Sequence, residues 1–294
     1  MDYQKQSVAM IPLFKPYISP SCAEAVKEVL DSGQLTEGHY SDLFELKFGQ
    51  FIGNKNTCLT NSCTSALHLA AIACDLKPGD EVITTAMTCM ATNEPFYNMG
   101  LKLTFADVDV NTGNICPKSI ENLISKETKA IVAVHWAGLP CDLNSINKIA
   151  KKHKLKVIED AAHAVGSRYN GKKIGNHSDF VCFSFQAIKH LTTGDGGAVC
   201  CKRKKDADRI RKLRWFGLNR KFKGKSRWDQ DIKESGYKYH MNNINACIGL
   251  KNLENINYLL NQHINNAEYY DLNINNKKIT KIKKPLDAFS ASWI

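Results

Sequence analysis

The sequence predicts an α/β fold: a mainly parallel central sheet with helices on both faces. Three observations carry that reading. Short β-branched runs alternate with helix-period segments along most of the chain, the pattern of a sheet whose crossovers are helices. Two runs end in chemistry-bearing residues, Asp160 and the Ser184–Lys189 loop, as strands that feed a crevice at their carboxyl ends do. At 294 residues and 43% hydrophobic, the chain can bury one large core and a smaller piece.

The elements follow in order. Ser19 and Ser21 offer caps for a first helix that stops at Gly33, the usual left-handed terminator. A strand near Thr57–Thr60 leads into a helix from about Thr64. Next come a strand over Glu81–Thr85, a helix near Met90–Asn98 and a strand over Leu103–Val108. Pro117 suits the first turn of a helix over Lys118–Ser125, where a missing N–H costs no intrahelical bond. A strand at Ala130–His135, a helix at Leu143–His153 and a strand at Lys156–Glu159 follow. Phe180–Phe185 reads as an apolar strand, and Cys200 and Cys201 sit in another, where neighbours point to opposite faces. Lys204–Arg214 reads as a solvated helix, Asn219–Ser235 as a polar, basic loop, and Met241–Leu260 as helical, crossing to a small domain. The expected division is 1–240 for the large domain with its N-terminal arm and 241–294 for the start of the small one. There is no internal repeat.

Composition narrows the function classes. No apolar stretch reaches membrane-span length, and Met1–Gln6 lacks the hydrophobic region of a signal peptide. The eleven cysteines are odd in number and show no Cys-x-x-Cys spacing, so reduced thiols in the cytoplasm are expected and no metal site. The net charge of +11 gathers in Lys202–Arg227 and Lys277–Lys284. Trp215, Phe216 and Trp228 lie among these charges, but no helix-turn-helix or zinc pattern accompanies them, which argues against nucleic acid. Such a surface also suits an anionic substrate, a nucleotide diphosphate for example.

Lys189 follows the apolar Phe180–Phe185 run and precedes the Gly194-Asp195-Gly196-Gly197 cluster. A lysine at the end of a buried strand loses solvation, and its amine moves toward a free nucleophile. Upstream, a β-branched run ends at Glu159-Asp160, with His163 three places on. A carboxylate there can hold a pyridine nitrogen protonated. Taken singly, a surface lysine, a helix N-cap and a satisfied histidine are the ordinary readings.

Together these segments resemble the DegT/DnrJ/EryC1/StrS family of pyridoxal-phosphate (PLP) sugar aminotransferases. The resemblance rests on Glu159-Asp160-Ala161-Ala162-His163, Ser184-Phe185-x-x-x-Lys189 and Gly194-Asp195-Gly196-Gly197. It runs from Ile11-Pro12-Leu13-Phe14-Lys15-Pro16 through Ser32–Gly38, Phe44-Glu45, Thr64–His68, Pro78–Ile83 and Gly236-Tyr237-Lys238-Tyr239 to the last residue. It implies PLP-dependent transferase fold type I, aspartate aminotransferase-like, with an incomplete small C-terminal domain. It also implies that Lys189 forms the Schiff base with PLP and moves the proton, while Asp160 faces the pyridine nitrogen. His163 and Cys89 would lie at the ring. Ser184, Thr64 and Ser65 would hold the phosphate, the last two at a helix N-terminus. Lys238 would reach the PLP phosphate or the substrate's diphosphate from the neighbouring subunit of a homodimer.

The implied reaction is ping-pong amino transfer from glutamate to a nucleotide-linked keto-deoxysugar, with a 4-keto-6-deoxyhexose the expected acceptor class. The alternatives are the family's dehydratase branch, which has histidine in place of the lysine, and a degenerate regulatory or partner protein. Three departures stand out. Cys89 replaces an aromatic common beside the ring, and His240 replaces a common arginine. The chain also ends at Ser290-Ala291-Ser292-Trp293-Ile294, where relatives begin the rest of the C-terminal domain, so a fragment or a shortened member is expected.

Overall fold

Alternation of side chains across the strands decides the architecture. In the computed structural model, which describes residues 12, 14–220, 222, 224, 226 and 229–293, every position of strands β1, β2, β8 and β9 is buried. Met1–Gln6, Ile11 and Leu13 of the 11–16 motif, Arg227, Trp228 and Ile294 lie outside the described residues. In chain order the elements are α1 (Cys22–Ser32), α2 (His39–Ile52), β1 (Thr57–Thr60), α3 (Cys63–Ala73), β2 (Glu81–Thr85), α4 (Met90–Asn98), β3 (Lys102–Ala106) and α5 (Pro117–Leu123). Then come β4 (Thr128–Val134), α6 (Leu143–His153), β5 (Lys156–Asp160), β6 (Arg168–Tyr169), β7 (Lys172–Lys173), β8 (Phe180–Ser184) and β9 (Gly197–Cys201). The chain continues through α7 (Lys204–Leu213), α8 (Asn243–Leu253), α9 (Ile256–Asn273) and β10 (Ala288–Phe289).

The seven-stranded sheet has the order β1-β9-β8-β5-β4-β2-β3. Strands β8, β5, β4, β2 and β3 are parallel, and β9 is antiparallel to both its neighbours. It follows that β1 points the same way as β8. The carboxyl ends of β1, β2, β4, β5 and β8 therefore share one edge. This is the edge at which open α/β sheets bind ligands.

On one face Val82, Val132, Ile158, Cys182 and Val199 pack beneath α3 and α7. On the other, Ile83, Ile131, Val157, Phe183 and Ala198 meet Phe44 and Phe48 of α2 and Ile146 of α6. Cys200 and Cys201 fall on opposite faces, and the eleven cysteines are unbridged. The Phe48 ring meets Phe185 edge-on at 4.8 Å and Phe183 at 5.4 Å, so the α2 face is fixed by aromatic packing worth about 3–5 kcal/mol per ring removed.

Two expectations change. The 204–214 helix is solvated on one side only, because Ala207, Ile210 and Leu213 are buried in the core. The 241–260 segment is two helices, broken at Glu254-Asn255. Of these, α8 packs on α1, with Cys247 against Ala25 and Val29. Its Asn252 accepts from Ser19 N–H at 2.8 Å and donates to the Thr192 carbonyl at 2.9 Å. The sequence division places α8 after the boundary at 241, and its contacts with α1, Ser19 and Thr192 reach back across it. No helix among the described residues is long and apolar enough to cross a membrane.

Candidate active site

Neighbouring parallel strands bring the two sequence segments together. Asp160 ends β5 and Ser184 ends β8, and the loop that follows Ser184 carries Lys189 back over the sheet edge. That loop is held by Thr193 N–H on the Phe185 carbonyl at 2.9 Å, Phe185 N–H on Gly196 at 2.8 Å and Lys189 N–H on Gln186 at 2.9 Å. The result is a cavity of about 380 Å³ whose lining includes Asp160, His163, Ser184, Lys189, Thr64 and Cys89.

Asp160 is buried. Its Oδ2 accepts from Thr92 Oγ1 at 2.6 Å and its Oδ1 from Ala162 N–H at 3.0 Å. Burial holds the Lys189 amine below its ordinary value, against the opposing pull of the Asp160 carboxylate. Burial, helped by the positive Lys189 and by His190, lowers His163 to about 3, so its ring is neutral. Among the described residues no hydrogen-bond partner meets its Nδ1.

The α3 end of the cavity differs from expectation in detail. Helix α3 starts one residue early, at Cys63, and its cap is Ser62, whose Oγ accepts Ser65 N–H at 3.0 Å. Ser65 is thus turned to its own cap and does not line the cavity. Thr64 does, and among the described residues no hydrogen bond engages the N–H groups of Cys63 and Thr64. A Cβ on Gly197 would lie 2.5 Å from the Ser62 carbonyl carbon and 2.6 Å from Cys63 N, so only glycine lets β9 approach this helix end.

Ser184 Oγ accepts from Gln186 N–H at 3.3 Å and faces the cavity. Cys89 is exposed at the start of α4, at the cavity mouth. Lys238 is not brought to the site of its own chain; its ammonium sits 4.6 Å from the Trp215 ring centre. His240 packs edge-on against that same ring at 4.2 Å, where it is held neutral, lowered to about 4 by burial and the nearby Lys238, Arg220 and Arg214.

Residue-by-residue reading missed Thr92, Ser62 and Trp293. A serine just before an apolar helical run is an N-cap signal, and it points to Ser62. Nothing around Thr92 or Trp293 signals a site; both reach it only through the tertiary fold.

The donor set suits pyridoxal phosphate: an amine, a buried carboxylate, a neutral imidazole with a free buried nitrogen, and an open helix N-terminus at a glycine cradle. Fold and site together define a PLP-dependent transferase of fold type I. The chain belongs to the DegT/DnrJ/EryC1/StrS aminotransferase family, whose model matches residues 16–294. It is 38% identical over 250 residues to the spore coat polysaccharide biosynthesis protein SpsC of Bacillus subtilis, covering 84% of this chain and 64% of SpsC. The chain thus spans less than two thirds of that relative's length. It is similar to the sugar aminotransferase CalS13 of Micromonospora echinospora, with TM-score 0.90, 37% identity, and coverage of 97% of this chain and 79% of the other. It is also similar to Spr1654 of Streptococcus pneumoniae, described as a sugar aminotransferase. The PLP form matches with TM-score 0.85 and 26% identity over 96% of this chain and 76% of that one; the PMP form gives 0.90 and 27% over 97% and 77%.

Proposed function

We propose that this chain is a pyridoxal-phosphate aminotransferase that moves an amino group from glutamate to a nucleotide-linked keto-deoxysugar, a 4-keto-6-deoxyhexose in the first instance. The observation that carries the reading is the convergence of Lys189, Asp160 and His163 on one cavity at the carboxyl edge of the sheet. When bound, the cofactor supplies an electron sink that stabilises negative charge at the substrate carbon.

The chain's own residues do the rest. Lys189, with its amine lowered by burial, has a lone pair to attack a carbonyl and afterwards holds or releases a proton at Nζ. Asp160, oriented by Thr92 and Ala162, presents a carboxylate to a ring N–H and favours its protonated form. The Cys63 and Thr64 N–H groups, with Ser184 Oγ, receive the phosphate at the α3 N-terminus. His163 stays neutral and adds no charge beside the amine.

The homodimer with a shared site is part of the same proposal, with Lys238 serving the neighbouring copy's phosphate or the sugar diphosphate. A cytoplasmic enzyme of amino-sugar biosynthesis is the setting it implies. The test is an absorption titration of the purified chain with PLP, followed by glutamate. Wild type should develop a visible band that glutamate bleaches, and a keto-sugar panel then restores it. Lys189→Ala should give neither change, and turnover by a clean Lys189→Ala preparation would sink the assignment.

A further inference from the structure

The chain from Ala288 to Trp293 is fastened beside Lys189 by groups far apart in sequence. Strand β10 pairs with β6, Ala288 opposite Tyr169 and Phe289 opposite Arg168. Ala291 N–H donates to Ser167 Oγ at 2.9 Å, and its carbonyl accepts from His190 Nε2 at 3.0 Å. Trp293 N–H donates to the Ala137 carbonyl at 3.1 Å. The approach is close: a Cβ on Gly138 would lie 2.7 Å from the His163 carbonyl oxygen and 3.2 Å from Trp293 N.

These bonds aim the Trp293 side chain. Its Nε1 donates to the Ile188 carbonyl at 2.9 Å, immediately before the lysine. Its face stacks on His163 at 3.8 Å and 14°. The Lys189 ammonium stands 3.9 Å from the ring centre. A tryptophan that only fills space meets apolar neighbours, whereas this one offers its ring to Lys189 and His163, two of the polar side chains that line the cavity.

We propose that Trp293 is a positioning residue, whose ring backs Lys189 and His163 together and fixes the direction from which the amine enters the cavity. The consequence for the cofactor rests on the reading above; the setting of the amine is a property of the protein alone. A cation over an indole face is favoured by the ring quadrupole, so Trp293 stabilises the charged amine where burial opposes it. The other titratable groups facing Lys189 are Asp160 from β5, Cys63 from α3, Cys89 before α4, His163 after β5 and the adjacent His190. Substitution of Trp293 leaves all of them in place.

The experiment is pulsed acetylation of the PLP-free protein across a pH series, with the Lys189 peptide quantified by mass spectrometry and folding checked by circular dichroism. Trp293→Leu keeps the site apolar and removes the π face, so its labelling midpoint should fall by about one pH unit. Trp293→Phe should restore most of the midpoint. A folded Trp293→Leu protein with the wild-type midpoint overturns the proposal; should Trp293→Leu fail to fold, Trp293→Met carries the same comparison. If the wild type takes up no PLP, the cofactor reading fails while the midpoint still decides the role of Trp293.

Discussion

Asp160 shows how much of a reactive group's behaviour is set by residues that carry no chemistry of their own. Thr92 donates to its Oδ2 at 2.6 Å, and Thr88 and Thr92 share a hydroxyl contact of 2.6 Å. An ionised carboxylate has about four lone-pair positions, so two remain for a ligand while these donors fix the plane. A hydrogen bond to a charged group contributes about 1.5–3 kcal/mol. Thr92→Val, nearly isosteric, should therefore slow the glutamate half-reaction about tenfold or more while the fold survives. Asp160→Asn should cost at least about a hundredfold, since it removes the charge itself. Stopped-flow measurement of PLP-band decay decides both, and a Thr92→Val rate within twofold of wild type would leave Ala162 N–H as the sufficient anchor. Asp160 was legible in the sequence because an acid ends a β-branched run. Thr92 was not: it sits on α4 after β2, and it meets Asp160 only once β4 has been laid between β2 and β5.

At the scale of elements, Glu81 ties three strand starts together. From the first position of β2 its carboxylate accepts from Thr128 at 2.6 Å, Ser125 at 2.8 Å and Thr104 at 2.8 Å, and pairs with Lys102 at 2.9 Å. Burial disfavours its charge, but these four partners outweigh that and hold the carboxyl down at about 2. Because its folded value is depressed, its contribution is present above the ordinary carboxylate value of about 4.3 and fades as pH falls toward 2. Glu81→Gln should lower stability by about 2 kcal/mol at neutral pH, and much less at pH 3, in urea titrations. An equal loss at both pH values would mean that shape, not charge, does the tying. The main strands were legible because short β-branched or apolar runs mark them, and β1, β2, β8 and β9 are buried along their whole length. The two-residue β6, β7 and β10 are too short to show any period. The place of α8 was hidden for another reason: the partners of Cys247 are Ala25 and Val29, on the far side of the sequence.

Over the whole molecule, the same burial that builds the site also sets its acid limit. His163 and His190 are lowered to about 3 and His240 to about 4, each chiefly by burial. In the unfolded chain all three take up a proton near pH 6.5. Between that value and the folded ones the unfolded state binds more protons, so stability falls as pH falls. Each histidine contributes a slope of up to about 1.4 kcal/mol per pH unit, and the three together about 4. That is a large share of a domain's usual 5–15 kcal/mol. The net charge of +11 acts in the same direction, because every added proton increases self-repulsion. The urea midpoint of the PLP-free protein should therefore hold level above pH 7 and drop steeply from about 6.5 to 5. His190→Gln, which keeps a donor for the Ala291 carbonyl, should flatten the slope by about a third. A midpoint unchanged from pH 7 to 5 would mean that these rings accept protons within the fold, and His163 could then no longer be counted as a neutral neighbour of Lys189.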